Sequence, residues 1–286
     1  MTTNTSMSTG ARLGLRHLLN PLHVTRHLWS HRDLIRQMVR REVSQRYRGS
    51  YLGVLWTLLT PLLMLLIYTF VFSIIFKARW RADAETPPGE FALTLFAGLA
   101  AFNMFSEVVN RAPTLILGVP NYVKKVVFPL EILPLVILGS ALVNSLITVG
   151  LVLVGSLIVL GQLSSTVLWL PLAYLPLIFL CLGLGWFLAS LGVYVRDIGQ
   201  GIGIAVQMLF FLSPVFYPVT VVPEPLRIVL YFNPLTTILS EFRQTLLWGE
   251  TLGWHTWAAW SLLTAVLALL GYAWFMKTKK GFADVM

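Results

Sequence analysis

Arg46-Tyr47-Arg48-Gly49-Ser50-Tyr51-Leu52-Gly53-Val54-Leu55-Trp56, followed by a nearly unbroken apolar run to Phe76, is the stretch that decides the fold. A helix needs about 20 apolar residues to cross the hydrocarbon core, and this run supplies them. Immediately upstream, Ile35, Val39, Val43 and Tyr47 recur every four residues, with Leu34 and Met38 alongside, while Arg32, Arg36 and Arg40 recur on another face. Glu42 stands four residues before Arg46, the spacing of an intrahelical ion pair. A basic amphipathic helix of this kind lies in the headgroup layer with its apolar side down. It then turns through Gly49 and Gly53 into the bilayer, which places the entry on the cytosolic side.

Composition agrees. Of 286 residues, 57% are hydrophobic and only 12% charged, against roughly a quarter in a soluble domain. The expected class is an all-α integral membrane protein with a cytosolic N-terminal segment (residues 1–50) and one membrane domain (51–286). The net charge of +9 is explained by anchoring to anionic lipid, so nucleic acid is not expected as a partner. One cysteine, Cys181, excludes an intrachain disulfide and a thiolate metal cluster. The first fifty residues lack the apolar core of a cleavable signal peptide.

Six stretches qualify as spans, at 54–76, 91–111, 132–160, 167–195, 200–218 and 256–276, the fifth interrupted near its outer end by Ser213-Pro214 and Pro218. With both termini inside, 16 of the 21 Lys and Arg fall in cytosolic segments and 5 outside, as the positive-inside rule requires. Two connections carry more than linkage. Residues 111–131 are cytosolic, and Pro113 and Pro129 suit the start and end of a short surface helix. Residues 219–250 are outside and apolar, broken by Pro223, Pro225 and Pro234. Asn233-Pro234 begins a second short helix in which Leu235, Ile238, Leu239, Phe242 and Leu246 share a face. With Glu241 and Arg243 that segment is too short and too charged to span, and it reads as a pair of helices dipping back toward the membrane.

Several side-chain groups have two readings. Arg46 and Arg48 either anchor the helix or meet a lipid-linked diphosphate, since guanidinium forks suit phosphate oxygens. His23, His27 and His31 lie on one helical face, but no carboxylate or cysteine completes a metal site, and no metal is expected. Tyr68, Phe72 and Phe76 on the first span, with Phe210, Phe211, Phe216 and Tyr217 on the fifth, either pack against lipid or line a path for sugar rings. Asn103, Ser106, Glu107, Asn110 and Arg111 mark the inner end of the second span, where they reach cytosolic water or need buried partners. Asn144, mid-span, is expected to bond across helices. Gly199, Gly201 and Gly203 permit close helix approach, and no strand precedes them to make a nucleotide motif. The chain contains no G-x-x-x-x-G-K-[ST], and no soluble stretch is large enough to hold an ATPase.

The ordered set Arg46-Tyr47-Arg48-Gly49-Ser50, Leu52-Gly53, Thr60-Pro61, Asn121 through Phe128-Pro129, Arg196-Asp197-Ile198, Ser213-Pro214-Val215-Phe216-Tyr217, Tyr231-Phe232-Asn233-Pro234-Leu235 and Phe282-Ala283-Asp284 resembles the permease subunits of type-2 ABC exporters that move cell-surface polysaccharides. The likeness covers nearly the whole chain and is closer to the O-antigen and teichoic-acid exporters than to capsule exporters. It implies a second copy of this chain in the membrane and two copies of a separate nucleotide-binding ATPase below, where ATP and Mg would bind. This chain would hold no cofactor and would be a transport subunit, not an enzyme. The coupling helix would comprise Leu117, Gly118, Val119, Pro120, Asn121, Tyr122, Val123 and Lys124, and the N-terminal helix would be an interface helix. Residues 225–247, with Asn233, Pro234, Glu241 and Arg243, would form an outer gate, and the first and fifth spans would line the channel. The substrate implied is an undecaprenyl-diphosphate-linked glycan crossing the cytoplasmic membrane, with teichoic acid, a small lipid or a drug as the alternative cargo. A glycosyltransferase or ligase is the rival from another class, and no paired carboxylate motif supports it.

Overall fold

The computed structural model describes residues 19–46, 51–77, 80, 89–124 and 128–286. Among these the chain is entirely helical apart from turns and connections. Arg48, part of the entry joint, and Lys125, just beyond the candidate coupling helix, lie outside the described residues.

Helix α1 (Pro21–Ser30) starts as its sequence dictates. The Asn20 side chain accepts from the Leu22 N–H, and Pro21 occupies the first helical position. Helix α2 (Arg32–Arg46) is the amphipathic segment. Leu34, Ile35, Met38, Val39 and Val43 are half-buried, while Arg32, Arg36 and Arg40 are exposed, as the four-residue repeat requires.

Among the described residues, five helices are long and apolar enough to cross a membrane. The first, α3 (Trp56–Tyr68), carries Pro61 within it and passes into a wider i→i+5 coil over Thr69–Ile75, closed by Phe76 N–H to the Val71 carbonyl at 3.0 Å. The second, α4 (Glu90–Arg111), is the buried centre of the fold. Its small residues Ala92, Ala97, Ala100 and Ala101 are at most 1% exposed and let neighbours approach closely. After a turn at Ala112–Thr114, the short helix α5 (Pro120–Lys124) forms. It begins at Pro120, not at Pro113 as read from sequence. Pro113 instead sits in the tight turn that continues α4, where the Leu115 N–H reaches the Ala112 carbonyl at 3.1 Å.

Helices α6 (Leu133–Val159) and α7 (Leu170–Tyr194) are the third and fourth long elements. Helix α8 (Ile198–Leu212) has 15 residues, fewer than the span expected over 200–218. It ends because Ser213 precedes Pro214 and is forced to an extended ψ of 147°. Two short helices follow, α9 (Glu224–Tyr231) and α10 (Pro234–Arg243), at the positions the proline punctuation predicts. The fifth long helix, α11 (Trp254–Thr278), leads to a final turn, α12 (Phe282–Val285).

Helices α7 and α11 cross at their backbones. A Cβ on Gly271 would collide with the Gly183 backbone, and one on Gly183 would come within 2.8 Å of Leu267. This is the small-residue packing that replaces hydrophobic drive inside a bilayer. By contrast, α3 and α8 leave most of their length uncovered, with Leu66, Phe70, Ile74, Ile204, Met208 and Phe211 more than half exposed.

Candidate functional site

Three polar knots and one aromatic wall organise the molecule, and each knot forms where a charged side chain finds partners on other elements.

At the C-terminal end of α4, Glu107 gathers three partners. Arg46 of α2 pairs with it, Arg111 donates from Nη1 at 3.3 Å, and Asn144 of α6 donates from Nδ2 at 3.2 Å. Arg111 in turn pairs with Glu42 of α2. The local Glu42–Arg46 pairing suggested by spacing gives way to two ion pairs across helices, which fasten α2 to α4. The Arg46 guanidinium is therefore engaged with a carboxylate. Asn144 does bond across helices, and Glu107 meets protein partners. Thr57, Thr60, Asn103, Asn144, Ser145 and Thr148 line a cavity of about 200 Å³ above this knot.

Sequence spacing gives no sign of the second knot. Glu131, only 3% exposed, accepts from Lys279 Nζ at 2.6 Å and faces His27 Nε2 at 2.9 Å, and its backbone carbonyl accepts the Trp186 indole N–H at 2.9 Å. It ties α1, the connector and the C-terminal end together. His27 thus turns to Glu131, while His31 Nδ1 lies 3.0 Å from the His27 carbonyl, so the histidine stripe serves packing of α1. Beside this knot, Val119, Tyr122 and Val123 pack on a cluster containing Trp186, Phe275 and Phe282, and Tyr122 stacks on Phe128 at 4.5 Å. Leu117 is half-buried. Gly118, Pro120, Asn121 and Lys124 are exposed and form the outward surface of the segment.

The third knot is at the opposite end. Arg243, 2% exposed, donates from Nε to the Thr94 carbonyl at 3.0 Å, from Nη1 to Pro214 at 2.8 Å and from Nη2 to Val215 at 2.9 Å. Its guanidinium lies 4.2 Å from the Trp80 ring centre and occupies the space a Cβ on Gly98 would take. Its partners here are carbonyls, no carboxylate among them, so the cation satisfies the backbone freed where α8 breaks. Asn233 caps α10 through Leu235 N–H at 3.0 Å and donates to Ser213 Oγ at 2.9 Å, with Pro234 at the first helical position. Glu241 accepts from the Gly253 N–H at 3.2 Å; burial pushes its carboxyl above the usual range while that bond pulls it down. Of the four residues expected at the outer gate, Pro234, Glu241 and Arg243 belong to α10 and Asn233 caps it; Asn233 and Arg243 bind it to the break at 213–215.

The aromatic residues predicted on two separate helices do meet. Phe72 stacks on Phe216 at 6.2 Å and lies 6.2 Å from Tyr68 and 6.0 Å from Phe76. Phe210 touches Phe216 at 4.9 Å and Phe211 at 5.5 Å. Tyr217 instead folds back, donating to the Phe211 carbonyl at 2.9 Å. Sequence reading missed Phe91, Phe96 and Phe102 of α4, which complete the wall against Phe72, Tyr68 and Phe210.

These features define a helical membrane protein of several spans, whose polar groups clamp its ends and whose aromatic rings meet between helices. The chain belongs to the ABC-2 type transporter family, whose membrane-domain model matches residues 33–247. That family is one of transport subunits. Two sequences of the O-antigen export system permease protein RfbA from Klebsiella pneumoniae are similar. One is 24% identical over 197 residues, 68% of this chain and 76% of the relative. The other is 24% identical over 199 residues, covering 69% and 73%.

Proposed function

We propose that this chain is the permease of an ATP-driven exporter that carries an undecaprenyl-diphosphate-linked, O-antigen-like polysaccharide across the cytoplasmic membrane. The observation that carries the reading is the similarity to O-antigen export permeases over about two-thirds of the chain. The joined aromatic wall of Tyr68, Phe72, Phe76, Phe210, Phe211 and Phe216 supports it, because ring faces hold sugars weakly enough to let a polymer slide. In this reading a second copy packs on the open faces of α3 and α8, and α8 with its broken end counts as a sixth, shortened span. Both termini are cytosolic. Helix α2 is the interface helix. Helices α9 and α10 form the outer gate, held in protein by Arg243 so that their ends are satisfied at membrane depth. The energy comes from two copies of a separate ATPase, with ATP and Mg bound there. Leu117 to Lys124 takes the push, with Pro120, Asn121 and Lys124 as the touching surface. Arg46 and Arg48 are the candidate contacts to the diphosphate, Arg46 once Glu107 releases it. Coupling needs two states with different contacts, and the Arg46–Glu107 pair is a contact that can exchange.

The test is a deletion strain. Glycan should accumulate on its lipid carrier inside the cell, and export should return only when the chain and its ATPase partner are supplied together. Normal surface glycan in the deletion strain would remove the reading in favour of a teichoic acid, small-lipid or drug cargo.

A further inference from the structure

A groove of about 300 Å³ between α4 and α8 is lined by Asn103, Ser106 and Asn110 on one side and Gln207 on the other, with Phe102 and Phe210 at one end. Its placement is unusual. Neighbouring residues of α4 are sealed: Ala100, Ala101, Met104 and Phe105 are at most 2% exposed. Asn103 and Asn110 are exposed, and they and Ser106 recur at i, i+3 and i+7, so one face of a buried helix turns polar where it meets α8. Asn103 lies eight residues inside Arg111, about 12 Å along the axis. Asn110 donates to Ser106 Oγ at 3.1 Å, whereas Asn103 and Gln207 have no side-chain hydrogen bond among the described residues. The groove thus presents hydrogen-bonding capacity that the described residues leave unused, which suits an occupant able both to donate and to accept.

The chemistry of the lining narrows that occupant. No ionisable side chain borders the groove, so it does not suit a phosphate or a metal cation. Each amide both donates and accepts, which matches hydroxyl groups that do the same. Phe102 and Phe210 lie 4.9 Å apart, and Phe210 continues through Phe216 to Phe72. Amides therefore lead directly into the aromatic wall.

We infer that this groove is a carbohydrate subsite, in which Asn103, Ser106, Asn110 and Gln207 bond the hydroxyls of a neutral sugar unit before it passes to the aromatic faces. The inference rests on the export reading and adds the place and chemistry of sugar recognition on the cytosolic half of the route.

The experiment uses the full chain with its ATPase in native membranes. Gln207→Cys is exposed to a water-soluble methanethiosulfonate; Cys181 is fully buried and stays silent. Membranes come from a strain that makes the lipid-linked glycan and from one lacking its first glycosyltransferase, with ATP withheld. Labelling should proceed in the second and slow severalfold in the first. In parallel, Asn103→Leu with Gln207→Leu should lower surface glycan about tenfold, as loss of two hydrogen bonds predicts, while Asn103→Gln with Gln207→Asn keeps most export. No labelling in either membrane shows the groove covered by lipid or by the second copy and overturns the subsite. Labelling without protection, or full export by the double leucine variant, also overturns it. Normal export in the deletion strain strikes the export reading itself, and is read separately from both.

Discussion

Arg243→Met removes the cation that holds the outer helices, and its cost follows from the contacts. Three charge-assisted bonds, to Thr94, Pro214 and Val215, are lost, and three carbonyls remain where water is scarce. Hydrogen bonds to charged groups contribute about 1.5–3 kcal/mol each in soluble proteins. Interhelical polar bonds in membranes average about 0.6 kcal/mol, because the unfolded chain in the bilayer also finds partners. Methionine fills most of the volume and restores part of the packing, while the contact with Trp80 adds about 0.5–2 kcal/mol to the loss. We expect about 3–5 kcal/mol overall, in the range for leaving several buried acceptors without a donor. At about 2–4 °C per kcal/mol for a chain of this size, the unfolding midpoint should fall by about 10 °C. Cys181 is a built-in reporter: fully buried, it reacts with a thiol-sensitive fluorophore only as the helices separate. Thermal ramps of purified wild type and variant in the same detergent give the shift. A midpoint within about 2 °C of wild type would mean the carbonyls find other donors, and the account of Arg243 as the clamp of α10 would be wrong.

Further outcomes follow from the other contacts. Glu107→Leu leaves Arg46 and Arg111 each short of a carboxylate and should loosen α2, read as faster proteolysis at residues 41–46, whereas Glu107→Gln, which still accepts from Asn144, should be milder; equal protection in all three proteins contradicts the knot. Gly271→Leu drives a side chain into the Gly183 backbone and should cost more than about 3 kcal/mol, seen as loss of the monodisperse peak on size exclusion; a well-folded variant would show that α7 and α11 can separate freely. Replacing Tyr68, Phe72 and Phe76 together by Ala should leave the fold intact, since none is fully buried, and reduce surface glycan strongly; unchanged export returns the stripe to lipid packing.

Much of the architecture was legible because bilayer physics leaves few options. Apolar length located the five long helices to within a few residues, and Pro223, Pro225 and the Asn233-Pro234 pair located α9 and α10. Ser213-Pro214 announced an interruption, and it falls early enough to shorten α8 to 15 residues. The partners of polar groups were less legible. Glu42 has a perfectly spaced neighbour in Arg46, yet Arg111, 69 residues away, takes it, because docking of α2 on α4 brings both acids against the opposite helix's arginines. Arg243 could be recognised as too costly to expose to lipid, but its acceptors are backbone carbonyls and carry no residue signature. Glu131 looked like one acid in a connector, and its two side-chain partners, His27 and Lys279, come from the two ends of the chain. The aromatic wall was half visible: periodicity found the stripes on α3 and α8, whereas Phe91, Phe96 and Phe102 were hidden within a helix that is apolar throughout.

The central claim is that this chain supplies a route and borrows its power. The direct measurement is reconstitution of the purified chain in liposomes loaded with a lipid-linked glycan, with and without the ATPase subunits. ATP-dependent transfer of glycan to the far leaflet only when both polypeptides are present is the predicted result. Nucleotide turnover by the chain alone, or no transfer with the full assembly, would contradict it.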